Sequence, residues 1–96
     1  MHPNRCSRQR LERLTDLPNV GPALARSLES LGFRVPADLQ GRDAHELYRR
    51  LCRLKGERQD PCVLDVLLSI ERFLAGEEPK RWWAFSAERR QRTPDL

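Results

Sequence analysis

The sequence predicts an all-α fold, a compact bundle of about five short helices. Apolar residues recur with a helical period in nearly every segment, and no segment shows the alternating apolar, β-branched runs that are typical of strands. Glycines and prolines divide the 96-residue chain into short segments, and this length is typical of one compact domain. We therefore expect a single helical module with no active site built between domains.

The first helix is expected to be short. Residues 1–10 are rich in arginine, and we expect them to form a flexible basic segment ahead of the fold. A helix carrying Leu11 and Leu14 follows, and Pro18 must end it, because proline disfavours the helical conformation in the residue before it. Residues 11–79 are therefore expected to form the helical domain.

The second helix has a signal at each end. It begins at Pro22, because proline is favoured in the first helical turn, where its missing N–H is not needed. Gly32 is expected to follow its last turn in a left-handed conformation, and residues 36–40 form one further turn. The inward leucines of the second helix follow an i, i+4, i+7 pattern and are Leu24, Leu28 and Leu31.

The third helix is also marked at both ends. Asp43 and Glu46 form a capping-box pattern at its start, and Gly56 follows its last turn. We expect an amphipathic helix whose inner face is apolar and whose outer face is basic. The inner residues are Ala44, Leu47, Leu51 and Leu54, and the outer residues are Arg49, Arg50 and Arg53.

The fourth helix is the most apolar and is expected to be the centre of the fold. Asp60 and Pro61 fit its cap and its first helical position. Asp65, Ser69 and Arg72 form a narrow polar stripe at i, i+4 and i+7, which either faces solvent or holds another segment. The apolar positions are Val63, Leu64, Val66, Leu67, Leu68, Ile70, Phe73 and Leu74.

The C-terminal tail, residues 80–96, combines aromatic and basic residues and follows the stop signals Gly76 and Pro79. We expect this tail to pack on the helical domain. Trp82 and Trp83 are adjacent, so they cannot both face one side of an extended segment. One indole is expected to cover the central helix, and the other is exposed or stacks on an unpaired base.

Charge and cysteine content limit the partners and the compartment. Lysine and arginine outnumber the acidic residues by 18 to 14, which gives a net charge of +4 and is compatible with nucleic acid as a partner. The longest apolar run has four residues, so we expect neither a membrane span nor an export signal. Three cysteines without Cys-x-x-Cys spacing favour a reducing compartment. We therefore expect a cytoplasmic protein.

The turn between the first two helices carries the clearest chemistry. Residues 17–21 read Leu-Pro-Asn-Val-Gly, and a tight turn of this kind directs the unpaired N–H groups of the next helix at one point. The helix dipole adds about half a positive charge there, which suits a phosphate oxygen. Gly21 leaves room for a sugar-phosphate strand, Ala23 permits close helix packing, and Arg26 adds charge.

Residues 11–33 resemble the helix-hairpin-helix motif of DNA repair and replication proteins. The resemblance implies sequence-independent binding of duplex or branched DNA through main-chain amides. Asn19 stands where the motif usually has glycine; asparagine tolerates positive φ, but its side chain is expected to narrow the approach to the turn. The implied phosphate-binding amides are those of Asn19, Gly21, Ala23 and Leu24. In some members hairpin carbonyls hold K⁺ or Na⁺, and the matching residues are Thr15, Leu17 and Val20.

The whole chain also resembles a small bacterial family of pathogenicity-locus or mitomycin-resistance-like proteins. The matching features are Leu-Pro-Asn-Val-Gly-Pro at 17–22, Leu51-Cys52, Asp60-Pro-Cys-Val-Leu-Asp65 and Trp82-Trp83, and the resemblance extends over residues 11–90. It implies the helical fold and the motif, with DNA repair or a stress response as the context, but no defined biochemical role.

A degenerate second copy of the motif is a further interpretation. Residues 51–56 and the helix after Asp60 resemble it, although the linker is too long and has a single glycine. That corner is basic in either case. The basic residues expected to support phosphate binding are Arg49, Arg53, Lys55, Arg58, Arg89 and Arg90, and the simpler interpretation of the Arg49, Arg50 and Arg53 face is a solvated surface.

No catalytic or metal-binding pattern is evident. The sequence lacks a P-loop, a nucleophile elbow, a paired-carboxylate motif and a metal-binding histidine pattern, so we expect a protein that is not an enzyme. His45 and Cys52 lie about 10 Å apart along one helix and cannot share a zinc ion. Cys52 and Cys62 are expected to be small buried thiols that fill gaps between helices.

Two functions from different classes remain open. The first is a DNA-binding module that docks its hairpin on the phosphate backbone. The second is a protein-interaction adaptor whose hairpin or Trp-rich tail docks on a larger repair or replication protein, with the basic charge serving solubility. The turn itself either contacts a ligand or is only a tight packing turn between two helices.

Overall fold

The computed structural model describes residues 11–92, and within them the protein is all-α, as predicted. This range holds four α-helices and three short 3-10 turns, and it contains no strand. The predicted flexible segment 1–10 and residues 93–96 lie outside the described residues. The helices are α1 (Pro22–Ser30), α2 (Ala44–Lys55), α3 (Pro61–Leu74) and α4 (Ser86–Arg92), and the 3-10 turns are Leu14–Asp16, Pro36–Leu39 and Trp82–Phe85.

The central helix is α3, as expected from its apolar sequence. Helix α2 and the turn Trp82–Phe85 are the elements that pack most extensively against it. Burying a leucine or phenylalanine side chain contributes roughly 1.5–3 kcal/mol, so α3 is a main source of hydrophobic stabilisation. Its apolar side chains with at most 2% exposure are Leu64, Leu67, Leu68, Ile70 and Phe73.

The predicted start and end of α2 and the predicted start of α3 are confirmed. The Asp43 carboxylate accepts a 3.1 Å hydrogen bond from the Glu46 N–H at the start of α2. The Asp60 carboxylate accepts a 2.8 Å bond from the Cys62 N–H at the start of α3. Gly56 ends α2 with a φ of 69°, a left-handed conformation that favours glycine.

The first predicted helix is reduced to the single 3-10 turn Leu14–Asp16. The Asp16 carboxylate accepts hydrogen bonds from the N–H groups of Glu12 at 3.0 Å and Arg13 at 2.8 Å. Asp16 therefore closes the start of this segment, and Pro18 prevents helical continuation at its end. Only one turn fits between these two signals.

Two predictions about burial also need correction. Leu54 was expected to face inward, but its exposed fraction is 46% because it lies in the last turn of α2, at the rim of an open groove. Cys52 and Cys62 are half-buried rather than buried. Burial nevertheless raises the pKa of the Cys62 thiol, and the hydrogen bond with Asp60 acts in the same direction.

The polar stripe of α3 holds other segments instead of facing solvent. Asp65 is fully buried, and Ser69 is 1% exposed. The Asp65 carboxylate accepts hydrogen bonds from Ser86 Oγ at 2.8 Å and from Arg89 Nε at 2.7 Å. Ser69 Oγ accepts a 3.0 Å bond from Asn19 Nδ2. The stripe therefore fastens both α4 and the turn before α1 to the central helix.

The two adjacent tryptophans have different environments, as the sequence predicted. Trp82 is half-buried, whereas Trp83 is 55% exposed. Their ring centroids are 5.5 Å apart, and the ring planes meet at 83°.

No helix in the part of the chain from residue 11 to residue 92 is long and apolar enough to cross a membrane.

Candidate functional site

Asn19 anchors the turn at residues 17–21 to the rest of the molecule. Its φ is 65°, the left-handed conformation predicted for this position. Its Nδ2 group donates hydrogen bonds to Ser69 Oγ at 3.0 Å and to the Lys80 carbonyl at 2.8 Å. These two bonds hold the side chain against α3 and the C-terminal tail, and the expectation that it narrows the approach to the turn stays a prediction.

The inner side of the turn belongs to the core. Leu17 and Val20 are fully buried, and the Val20 N–H donates a 3.4 Å hydrogen bond to the Leu17 carbonyl. The resemblance assigns the carbonyls of Thr15, Leu17 and Val20 to a monovalent cation. The Leu17 carbonyl already accepts this internal bond, and the cation assignment stays a prediction.

Gly21 provides space on the outer side of the turn. Its φ of −95° and ψ of 178° are open to any residue, and an added Cβ would meet no atom within 4 Å. The other four glycines all have positive φ, from 69° to 110°. Neither the backbone nor the packing of the described residues therefore requires glycine at position 21.

The N-terminus of α1 is not capped by a side chain. Asp43 caps α2 and Asp60 caps α3, whereas Gly21 has no side chain to cap α1. The Ala25 N–H makes the first hydrogen bond of α1, to the Gly21 carbonyl at 3.0 Å. The N–H groups with no acceptor among residues 11–92 include all four predicted phosphate-binding amides, those of Asn19, Gly21, Ala23 and Leu24.

A groove of about 400 Å³ lies beside this open N-terminus, between α1 and the end of α2. Ala23 was expected to let the two hairpin helices pack closely, but it is exposed and lines the groove, while Ala25 is buried. A neighbouring depression of about 270 Å³ extends the groove towards Val63 at the start of α3. The residues that line the groove are Ala23, Arg26, Ser27, Ser30, Leu54 and Lys55.

The groove is positively charged. Arg26 comes from α1 and Lys55 from α2, and no carboxylate of residues 11–92 lies within 4.0 Å of either. The first turn of α1 adds the partial positive charge of its dipole and its unpaired N–H groups. This combination suits an anion with several oxygen atoms, such as a phosphate group.

Arg89 is not part of a basic surface. Its exposed fraction is only 8%, and its Nε donates a 2.7 Å hydrogen bond to Asp65. The expectation that Arg89 supports phosphate binding is therefore wrong. The physical reason is that Asp65 carries its carboxylate into the interior, where a charge needs a partner.

The other predicted basic residues are spread over several elements. Arg53 is exposed in the last turn of α2, and Arg58 lies in the following loop beside the hydroxyl of the α2 tyrosine. Arg49 lies six residues before Lys55, about 9 Å along the helix axis. Arg90 is exposed on α4, outside the groove. The groove thus gathers one basic residue from α1 and one from α2.

The start of α3, which the further interpretation assigns to a degenerate second copy of the motif, does not suit a phosphate. The Asp60 carboxylate occupies this helix N-terminus through its bond to the Cys62 N–H. That hydrogen bond lowers the pKa of Asp60, so the group is negative at neutral pH and repels anions. The segment between α2 and α3 is therefore a linker without an open helix N-terminus.

Ser27 and Ser30 are groove residues that the sequence interpretation did not single out. Their hydroxyls donate to the carbonyls of Ala23 at 3.2 Å and Arg26 at 3.1 Å, one turn earlier. The available signal was the i, i+4, i+7 spacing of Ala23, Ser27 and Ser30, which predicts a face of small residues.

Along the part of the chain that the structure covers, no three metal-binding side chains form a cluster.

Comparison with known proteins identifies relatives of this chain. It matches the model of the pathogenicity locus family over residues 7–91. It is 40% identical over 78 residues to the mitomycin resistance protein McrB of Streptomyces lavendulae, and the match covers 81% of this chain and 74% of that protein. No solved structure matches the chain significantly. The family resemblance predicted from the sequence is thus confirmed.

Proposed function

The chain belongs to the pathogenicity locus family, and we propose that it is a DNA-binding module and not an enzyme. In this proposal the turn 17–21 and α1 act as the hairpin and second helix of a helix-hairpin-helix motif. Main-chain amides at the start of α1 hold a phosphate of the DNA backbone. Because such contacts do not read base edges, binding is independent of sequence.

The observation that carries this proposal is the open space at Gly21. The folded chain itself does not require a glycine there, because the backbone is extended and a Cβ would meet nothing within 4 Å. A sugar-phosphate strand that approaches the main chain would require glycine at this position, because a side chain would occupy the space of the strand. The absence of a side-chain cap on α1 supports the same role, since a cap would compete with the phosphate.

The groove beside α1 supports further phosphate contacts. Arg26 and Lys55 line it, and Arg53 is exposed in the same last turn of α2. These three cations neutralise about three phosphates, which predicts a log–log salt slope of about −3, and the amides add hydrogen bonds without net charge. A module of this size is expected to bind with roughly micromolar or weaker affinity at physiological salt.

DNA repair or a stress response is the context that we propose for this binding. The helix-hairpin-helix resemblance implies this context, and the word resistance in the name of the relative from Streptomyces lavendulae suits a stress role. The protein would act there as a sequence-independent contact to the DNA backbone, alone or with a larger repair or replication protein.

Fluorescence anisotropy with labelled duplexes of two unrelated sequences tests the proposal. We expect equal dissociation constants for both duplexes and a steep loss of affinity as salt rises. The double variant Arg26→Ala/Lys55→Ala should weaken binding and reduce the salt slope by about 0.9 for each lost phosphate contact. Arg34→Ala is the matched control for the single variant Arg26→Ala, because Arg34 is exposed but does not line the groove.

Three results would contradict the proposal. One is the absence of binding at low salt, which would favour the adaptor function instead. Another is a clear preference for one duplex sequence. The third is an equal loss of affinity in Arg34→Ala and in the single variant Arg26→Ala, since that would reflect net charge alone and not the groove.

A further inference from the structure

Trp83 presents an aromatic surface to solvent. Its exposed fraction of 55% is the largest among the exposed large apolar residues in the described range, ahead of Leu54 at 46% and Val35 at 41%. Trp82 supports it from one side in an edge-to-face contact, with ring centroids 5.5 Å apart. A braced indole loses little conformational entropy when it binds a flat ligand.

Two basic residues, Lys80 and Arg81, directly precede the tryptophan pair, after the two exposed carboxylates Glu77 and Glu78. The Arg81 guanidinium lies 5.2 Å from the centroid of the Trp83 ring, and the side chain of Lys80 is exposed nearby in the sequence. Glu77, in the same connecting segment, forms an ion pair with Arg72 at 3.5 Å, which offsets its negative charge. An aromatic ring beside cations is the arrangement that binds bases of single-stranded nucleic acid without sequence preference.

The segment that carries Trp83 is fastened to the proposed phosphate site. Asn19 donates a 2.8 Å hydrogen bond to the Lys80 carbonyl, and Asn19 precedes Gly21 by two residues. Since a chain extends by at most about 3.6 Å per residue, Trp83 lies within about 25 Å of Gly21. Roughly seven stacked nucleotides at 3.4 Å each cover that length, so one DNA molecule can reach both sites.

We propose that Trp83 stacks on an unpaired base of the DNA whose backbone phosphate is held at the start of α1. This inference rests on the proposed function and names its substrate class, DNA in which a single strand leaves a duplex. The Arg81 guanidinium at the ring and the exposed Lys80 favour a polyanion over an apolar protein surface as the occupant. The duplex arm supplies the phosphate for the amides, and the unpaired arm supplies the base for the indole.

Three DNAs that share one duplex separate stacking from charge. The first is blunt, the second carries a single-stranded thymidine extension, and the third carries an extension of equal length made of abasic nucleotides. The two extended DNAs have the same number of phosphates, so a difference between them reports the bases. We expect the wild type to bind the thymidine extension about tenfold more tightly than the abasic one.

Variants assign this preference to Trp83. Trp83→Ala should abolish the preference while its affinity for the blunt duplex stays within about twofold of wild type, because the exposed ring carries no phosphate contact. Trp83→Phe should retain part of the preference, since phenylalanine keeps a smaller stacking surface. Val35→Ala is the matched control for loss of an exposed apolar side chain, and circular dichroism checks that each variant is folded.

The outcomes distinguish this inference from the function on which it rests. If the wild type binds the blunt duplex but binds both extensions equally, the stacking proposal is overturned while the proposed function stands. A preference that survives in Trp83→Ala overturns it as well. Failure to bind any of the three DNAs would overturn the proposed function itself.

Discussion

The Asp65 carboxylate accepts a 2.7 Å hydrogen bond from Arg89 Nε inside the protein. Asp65 is fully buried, Arg89 is 8% exposed, and Ser86 Oγ donates a 2.8 Å bond to the other oxygen of the same carboxylate. A buried ion pair of this kind adds little net stability, but the loss of one partner leaves an unpaired charge in the interior. The pair therefore connects α4 to α3 in the interior of the protein.

Arg89→Ala is expected to lower the free energy of unfolding by about 3 kcal/mol, because the Asp65 charge loses its partner. Arg90→Ala, at the exposed neighbouring position, should change it by less than about 0.5 kcal/mol. Urea unfolding followed by circular dichroism measures both values. Similar free energies of unfolding for the two variants would contradict the claim that Arg89 is the partner of the buried Asp65 carboxylate.

Asn19 allows the backbone conformation of the turn to be separated from its hydrogen bonds. Asn19→Gly keeps the left-handed φ of 65° accessible but loses the bonds to Ser69 and Lys80, so we expect a loss of about 1 kcal/mol. Asn19→Ala loses the same bonds and also places alanine in the unfavourable left-handed conformation, so its free energy of unfolding is expected to decrease by about 2–3 kcal/mol. Urea unfolding of both variants checks this order, and a more stable Ala variant would contradict it.

His45 should make the folded state sensitive to mildly acidic pH. Desolvation lowers the pKa of this imidazole below its ordinary value of 6.5. The charges of Arg92 and Arg49 act in the same direction and those of Asp43 and Glu71 in the opposite one, and the net effect is a lowered pKa. A histidine with a lower pKa in the folded state contributes stability above the unfolded pKa, and this contribution is lost as the pH falls through the folded pKa. We expect the melting temperature to decrease as the pH is lowered below about 6.5.

The control for this pH dependence is His45→Gln, which cannot titrate. Its melting temperature should vary less than that of the wild type between about pH 7.5 and pH 5. Thermal unfolding at a series of pH values measures the difference. An equal decrease in both proteins would show that another group causes it.

The sequence was sufficient for features that depend on neighbouring residues. Asp43, Asp60 and Gly56 mark helix ends because each acts within a few positions along the chain. The left-handed conformation of Asn19 is equally local. These signals, together with the helical period of the leucines, predict the fold class and most helix ends.

Features that depend on tertiary contacts were not predictable. Asn19 and Ser69 are fifty positions apart, so the sequence could not show that the Asn19 side chain turns inward. Which of the adjacent residues Arg89 and Arg90 is buried depends on how α4 docks. The groove depends on the placement of α1 against the end of α2, which also leaves Leu54 exposed.

The central claim is that the open start of α1 at Gly21 holds a phosphate, and the variant Gly21→Asp tests it most directly. The extended conformation of Gly21 is that of a helix cap, and an aspartate there can accept hydrogen bonds from the Ala23 and Leu24 N–H groups. The same carboxylate would occupy the phosphate position and repel DNA. Stability and DNA affinity should therefore change in opposite directions.

We expect Gly21→Asp to raise the melting temperature by about 2–4 °C and to weaken duplex binding by about 10- to 100-fold. Gly21→Ser, which caps the helix without a charge, should raise stability similarly and weaken binding less. Thermal unfolding and anisotropy on the same protein samples measure both effects. A Gly21→Asp protein that is folded, at least as stable as the wild type and unchanged in DNA affinity would contradict the claim.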